Sequence, residues 1–281
     1  MSYMEAIQKR ISCRTYQLDP LTTAERGHLL QAMQVDNRGP FGGEVTFQIV
    51  ELEGLSGEEL RKLGTYGMIR GARTFIAGKI MIGKDAMKDY GYCLETVILK
   101  AAGLGLGTCW LGGTFNRSGF ATQTGLGDTE CMPAVTPVGR PADREALVGR
   151  ITRRLVKARN RKPWQEMFFL GSVETPLTSD IAGNYTQAIE AVRLAPSASN
   201  KQPWRIFKEP EGNLFHFYLL RDKVYDRAIG KISIQEVDMG IAMSHFELVA
   251  REAGLKGDWK TLKPEKHVRN GMEYIVTWVG K

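Results

Sequence analysis

Residues Arg193–Phe207 read R-L-A-P-S-A-S-N-K-Q-P-W-R-I-F, a polar turn between two apolar segments. Ahead of it, Ala188, Ile189, Val192 and Leu194 give a mostly apolar helical run. Behind it, Trp204, Ile206 and Phe207 begin an extended segment. Two serines, an asparagine and a glutamine lie between Pro196 and Pro203. Such a turn offers hydroxyls, amides and backbone N–H groups to a ligand, and it is equally compatible with ordinary surface-turn chemistry. The rest of the chain has to decide.

The 281 residues suffice for one large domain or two medium ones, and 43% hydrophobic with 25% charged is ordinary for a globular protein. No apolar run approaches the roughly 20 residues that span a bilayer. The polar start, Met1-Ser2-Tyr3-Met4-Glu5, has no signal-peptide pattern, so the cytoplasm is expected and no membrane partner. Cys13, Cys93, Cys109 and Cys131 are scattered without a C-x-x-C pair, which suggests neither a zinc site nor a disulfide framework. The net charge of +7 is compatible with nucleic acid or with a phosphate-bearing cofactor. Much of the excess lies in Arg150–Lys162, R-I-T-R-R-L-V-K-A-R-N-R-K, which contains no acid. Its basic residues are not interleaved with aromatics as single-strand binding requires, which argues against nucleic acid.

Met4–Ile11 reads as a short amphipathic helix with Met4, Ile7 and Ile11 on one face. It runs into Arg10-x-Ser12-x-Arg14, whose alternate side chains point to one side of an extended backbone. Two guanidiniums flanking a hydroxyl suit a phosphate or carboxylate. Thr22, with Glu25 three residues on, predicts a capping box for a helix to Met33. Val45–Leu52 reads as a strand, Ser56–Leu63 as a helix and Arg73–Ile82 as a central strand. Asp89–Ala102 is a strong helix, with Tyr90, Leu94, Val97, Ile98 and Ala101 on one stripe. Gly103, Gly105 and Gly107 follow a helix instead of a strand, so a dinucleotide-binding turn is rejected and Gly103 reads as a helix C-cap. Gly112-Gly113 is a separate turn where backbone could lie against a flat ligand. Met132–Gly139 reads as a short strand, Arg144–Ala158 as a basic helix and 171–183 as a linker. Tyr185–Arg193 and Val237–Ala253 read as helices, and Leu214–Leu220 and Tyr274–Val279 as strands.

The halves repeat. Asp89-Tyr90-Gly91 with Cys93-Leu94 matches Asp238-Met239-Gly240 with Ala242-Met243 at a constant offset. Ala102-Gly103-Leu104 then matches Ala253-Gly254-Leu255 with two residues of slippage. The first copy has Arg10-x-Ser12-x-Arg14 but only N-R-G-P-F-G-G where the second has the polar turn. Packed as a pseudo-symmetric pair, the halves are expected to form one complete site and one degenerate one.

Together these residues resemble the flavin-dependent nitroreductase family, in particular members whose single chain imitates the usual homodimer. R-x-S-x-R, A-P-S-A-S-N-K-Q-P-W, A-G-L-G-L-G-T-C-W and a basic run before Pro163 carry the resemblance, which covers most of the chain. It implies an α+β nitroreductase-like fold, with two similar α/β halves packed as a pseudo-dimer around mixed or antiparallel sheets. The halves would be residues 1–170 and 171–281.

It also implies an FMN site. Arg10 and Ser12 would hold the phosphate and ribityl chain, with Arg14 near the pyrimidine. Arg159 and Arg161 match phosphate-binding positions. Leu111, Gly112 and Gly113 would lie against the ring. Pro196, Ser197, Ala198, Ser199 and Asn200 would reach in from the other half, braced by Gln202 and Trp204. Between Leu63 and Ala72 the amide and lysine of better-known members are absent, leaving backbone at Tyr66-Gly67 as the substitute. The implied activity is NAD(P)H-dependent, ping-pong reduction of a nitroaromatic, quinone or similar flat acceptor by a monomer. A non-catalytic flavin-binding protein on the same scaffold is the alternative.

Overall fold

The computed structural model describes residues 1–52, 69–113, 115–142, 160–222, 232–262, 264 and 271–281. The expected helices over 56–63 and 144–158 lie outside the described residues. The chain divides into two compact units, Met1–Arg159 and Asn160–Lys281. This division precedes the expected one at 170/171, because Phe168–Leu170 pairs with strands of the second unit.

In the first unit, α1 (Tyr3–Lys9) opens on a capping box formed by Ser2 and Glu5. Ser2 Oγ accepts the Glu5 N–H at 3.1 Å, and Glu5 Oε2 accepts the Ser2 N–H at 2.9 Å. The helix stops before Ile11, which is 47% exposed and does not join the buried face expected of it. The predicted box at Thr22 and Glu25 does open α2 (Thr23–Val35). Four strands follow the order β1-β2-β5-β3: β1 (Val45–Glu51), β2 (Thr74–Met81), β5 (Val135–Gly139) and β3 (Gly107–Thr108). The short β4 (Glu130–Cys131) pairs with the end of β2. β2 is central, as its run of apolar residues predicts, and packs Ile76 and Ile80 against Tyr90, Leu94, Val97 and Ile98 of α3 (Ala86–Gly103). Leu29, Ala32 and Met33 of α2 close that core. A short α4 (Arg117–Thr124) precedes β4.

The end of α3 differs from expectation. Gly103 is still helical, and the left-handed residue is Gly105, at φ +79. Leu106 N–H donates to Ala101 O at 3.0 Å and Gly105 N–H to Ala102 O at 3.0 Å, a Schellman motif.

The second unit carries the sheet order β10-β11-β9-β8-β6-β7, with β6 (Phe168–Leu170), β7 (Ser172–Pro176), β8 (Trp204–Lys208), β9 (Leu214–Leu220), β10 (Gly257–Lys260) and β11 (Met272–Gly280). The stretch expected as a linker at 171–183 instead forms β7 and α5 (Ser179–Ala182), because Gly171 at φ +67 turns β6 back into a hairpin. β6 runs parallel to β8. After α6 (Thr186–Leu194), the path β8-β9-β11-β10 repeats β1-β2-β5-β3, with antiparallel pairing at every step in both. The long α7 (Ile234–Glu252) follows β9 as α3 follows β2. It too ends in a Schellman motif: Gly254 is at φ +78, and Leu255 N–H donates to Ala250 O at 2.9 Å. Gly105-Leu106 therefore matches Gly254-Leu255 at the same offset as Asp89 and Asp238. The slippage read from the Ala-Gly-Leu triplets vanishes, because backbone conformation aligns these glycines.

Phe246 of α7 lies within ring contact of Tyr185, Phe215, Phe217 and Trp278. Gly257, paired with Gly280, sits where a Cβ would come within 2.5 Å of the buried Trp278 ring. Gly257→Ala is expected to lower stability by about 1–3 kcal/mol, the usual range for overpacking a filled core, measured by denaturant unfolding.

Candidate functional site

Where α1 ends, Arg10 turns to extended backbone, and the next residues are zipped on two sides. Cys13 N–H donates to Thr108 O at 2.8 Å, Tyr16 N–H to Arg70 O at 2.9 Å, and Arg70 N–H to Arg14 O at 2.8 Å. Cys13 and Tyr16 face the core, which leaves Ser12 and Arg14 half-buried on the other side, as the alternation predicted. Arg10, Ser12 and Arg14 each act on the charge of the Cys109 thiol. Burial pushes that thiol up, while Arg14, Arg10 and a hydrogen bond with Ser12 pull it down.

The Arg10 side chain is only 7% exposed. Its Nε is buried without a hydrogen-bond partner, and Glu95 Oε1 lies 3.9 Å away, beyond hydrogen-bond range. The other oxygen of Glu95, itself fully buried, accepts the Trp110 indole N–H at 2.6 Å. A buried guanidinium N–H without an acceptor is costly, and an anionic ligand is the kind of group that satisfies it. Glu95 and Trp110 were not singled out in the sequence, although a lone acid inside the apolar run Leu94–Leu99 is a readable signal.

Leu111 is buried and exchanges both backbone hydrogen bonds with Val135 at 3.0 Å, so the chain leaves the sheet edge at Gly112 and Gly113. Arg117, also unflagged by the sequence, braces this turn: its Nη2 donates to Gly112 O at 2.9 Å and its Nε to Met132 O at 3.2 Å. Tyr66, Gly67 and Arg159 lie outside the described residues.

In the second unit, the polar turn is a single helical turn at Ala198–Asn200 with left-handed backbone at Ser199 (φ 49), Asn200 (φ 54) and Gln202 (φ 49). Gln202 braces it as expected. Its N–H donates to Ser197 Oγ at 2.8 Å, its Nε2 to Asn200 O at 3.1 Å, and its Oε1 accepts the Lys162 N–H at 2.9 Å. Trp204 contributes packing alone, since its indole N–H is buried without a partner. Arg161 is tied to the same turn: Nη2 donates to Leu194 O at 2.9 Å and Nη1 to Asn200 Oδ1 at 3.2 Å. Asn200 Nδ2 donates to Asn160 O at 2.9 Å.

The repeated aspartates hold the two turns. Asp89 accepts the Phe41 N–H at 2.8 Å on one oxygen and the Gly43 N–H at 2.7 Å on the other. Gly39 and Gly43 lack side chains at positions where a Cβ would strike this carboxylate. Asp238 accepts the Ala198 N–H at 2.9 Å on Oδ1, while its buried Oδ2 has no partner. Burial pushes the Asp238 carboxyl well above the usual range, opposed by that one N–H; burial also raises Asp89, against two.

Two outcomes are expected. Asp89→Asn keeps one acceptor oxygen but turns its NH2 toward the other backbone N–H, and should cost about 1.5–3 kcal/mol, more than Asp238→Asn. An unfolded Asp238 binds its proton near pH 3.9, and the folded one at higher pH. Between those values the folded state holds the extra proton, so stability falls as pH rises. Asp238→Asn should flatten that slope in denaturant melts run across pH.

Among the described residues, no helix is long and apolar enough to cross a membrane, and no group of three or more His, Cys, Asp or Glu could hold a metal ion. Comparison with known proteins gives three findings. Residues 2–250 match a family described as "Putative TM nitroreductase". No curated protein matches the chain. Among solved structures, a "putative nitroreductase" of Thermotoga maritima is similar at 20% identity and a TM-score of 0.61, over 99% of this chain and 94% of that one. That likeness extends the shared fold across both units. A nitroreductase family protein of Clostridium novyi matches 51% of this chain and 87% of its own, at 20% identity and a TM-score of 0.42. A protein of Desulfovibrio desulfuricans described as "a putative nitroreductase in complex with fmn" matches over 52% of this chain and 92% of its own, at 21% identity and a TM-score of 0.41.

Proposed function

The chain belongs to the nitroreductase family matched over residues 2–250, and on that premise we propose that it is an FMN-dependent oxidoreductase. It would carry electrons from NADH or NADPH to a nitroaromatic, quinone or similar flat acceptor by a ping-pong mechanism. The observation that carries this reading is the buried Arg10 Nε without a hydrogen-bond partner, in an extended segment that also carries Ser12 and Arg14.

When bound, FMN supplies reversible two-electron chemistry, taking a hydride from the nicotinamide and returning electrons to the acceptor. The protein's part is to bind and orient. Arg10 and Ser12 are proposed to hold the phosphate and ribityl chain, with Glu95 keeping the Arg10 guanidinium in place. Arg14 is proposed to stabilise negative charge at the pyrimidine end. Leu111, Gly112 and Gly113, fixed by Val135 and Arg117, would offer a flat backbone surface to the ring. Pro196, Ser197, Ala198, Ser199 and Asn200 are proposed as further cofactor contacts, and Tyr66 and Gly67 as backbone contacts. Arg159 and Arg161 would add positive charge at the phosphate, with Arg161 also orienting Asn200. We propose small molecules as the partners, and a monomer acting in the cytoplasm.

Flavin absorption that survives desalting is expected for the wild-type protein. Arg10→Ala and Asn200→Asp should each weaken FMN binding about 10–100-fold, as loss of a charge-assisted hydrogen bond of about 1.5–3 kcal/mol predicts. Loaded wild type should oxidise NADH or NADPH in the steady state with a quinone. Colourless protein that takes up no added FMN sinks the reading, whereas flavin-loaded protein without turnover leaves a binding protein.

A further inference from the structure

Arg205 stands on β8 in the second unit and is only 7% exposed. One nitrogen of its guanidinium is committed to backbone: Nη1 donates to Gln202 O at 3.1 Å and to Trp204 O at 2.6 Å. That leaves the Nε–Nη2 edge, the fork that matches a carboxylate or phosphate with two parallel hydrogen bonds. Among the described residues, nothing accepts from that edge and no carboxylate lies within ion-pair distance of it.

A second cation, Lys162, is linked to Arg205 through Gln202 and is near enough for Arg205 to act on its charge. Lys162 is held by the same glutamine, its backbone N–H donating to Gln202 Oε1 at 2.9 Å. Gln202 thus ties Arg205 through its carbonyl and Lys162 through its side chain. The Lys162 ammonium also has no hydrogen-bond or ion-pair partner among the described residues. Burial lowers its pKa first, and Arg205 and Lys201 lower it further against the pull of Glu166. Glu166 is exposed, so solvent screens it. Lys201 already has its own acid, Asp222, at 3.1 Å. Two neighbouring cations, one nearly buried, are therefore left without a contacting counter-charge. Nε and Nη2 of Arg205 keep contact with solvent although the rest of the side chain is packed away, so this edge is open to an incoming anion.

We propose that the Nε–Nη2 edge of Arg205 and the ammonium of Lys162 form an oxyanion site for a phosphate-class ligand, either inorganic phosphate or the terminal phosphate of a monoester. The site lies wholly in the second unit and does not depend on the flavin reading. It is also separate from Arg161, whose guanidinium serves Leu194 and Asn200.

The test is titration of flavin-free protein with inorganic phosphate and with glycerol 3-phosphate, following the melting temperature against chloride at matched ionic strength, with 31P line width as a second readout. Phosphate should raise the wild-type melting temperature where chloride does not. Arg205→Lys keeps the charge but loses the fork, and should weaken phosphate binding at least tenfold. Lys162→Gln should weaken it too, and its backbone bond to Gln202 is untouched, so it decides the matter if Arg205→Lys fails to fold. A response to both ligands assigns a monoester site, and a response to inorganic phosphate alone assigns a closed one. No response beyond chloride, or equal responses in wild type and Lys162→Gln, overturns the proposal. So does a response abolished by saturating FMN, which would make this the cofactor's own phosphate contact. Protein that binds no FMN but responds to phosphate defeats the flavin reading alone.

Discussion

A buried carboxylate near the start of a long helix, accepting backbone N–H groups from the loop before a strand, recurs in both units and fixes much else. Asp89 lies in α3 and holds Phe41 and Gly43; Asp238 lies in α7 and holds Ala198. Burying such a group is costly unless donors reach it. The loop must therefore arrive with its amides facing the helix, and the strand that follows inherits its position. The repeated strand order in the two sheets is consistent with that shared constraint. The copies differ in how far the constraint is met. The first turn closes on both oxygens with glycines that permit close approach. The second closes on one oxygen and carries polar side chains through the remainder of the loop.

Much of this was legible in the sequence because it is local. Thr22 and Glu25 announce their capping box, Leu214–Leu220 is a strand to its last residue, and Arg10, Ser12 and Arg14 alternate as an extended segment requires. The Asp89/Asp238 match exposes the repeat in the sequence itself. What escaped depends on backbone conformation or on distant contacts. Gly103 and Gly105 are indistinguishable as letters, and only φ says which one ends the helix. The stretch after Gly171 looked like a linker because β7 is short and mostly exposed; its pairing with β6 is what makes it a strand. Glu95 and Trp110 meet across 15 residues, and Arg117 reaches the carbonyls of Gly112 and Met132. Arg10 lies beside Glu95 across 85 residues of chain, a pairing that no spacing encodes.

The two units use different means to arrange polar groups. In the first, charged side chains carry the arrangement: Arg10 beside buried Glu95, and Arg117 on backbone carbonyls. In the second, a single glutamine organises its surroundings. Gln202 bonds Ser197, Asn200 and Lys162, and its carbonyl receives Arg205. A neutral hub can hold cations in place without neutralising them, which leaves their charge available.

The left-handed backbone at Ser199, Asn200 and Gln202 has an evolutionary consequence. Non-glycine residues there carry conformational strain of about 1–3 kcal/mol each, least for Asn. At the corresponding bend the first unit has Gly42, at φ +91, where no such strain arises. Glycine is within reach of point mutation from serine, so neutral drift would be expected to relax the second turn toward the composition of the first. The second turn therefore keeps its three side chains at a cost in backbone strain that a glycine at such a bend does not carry.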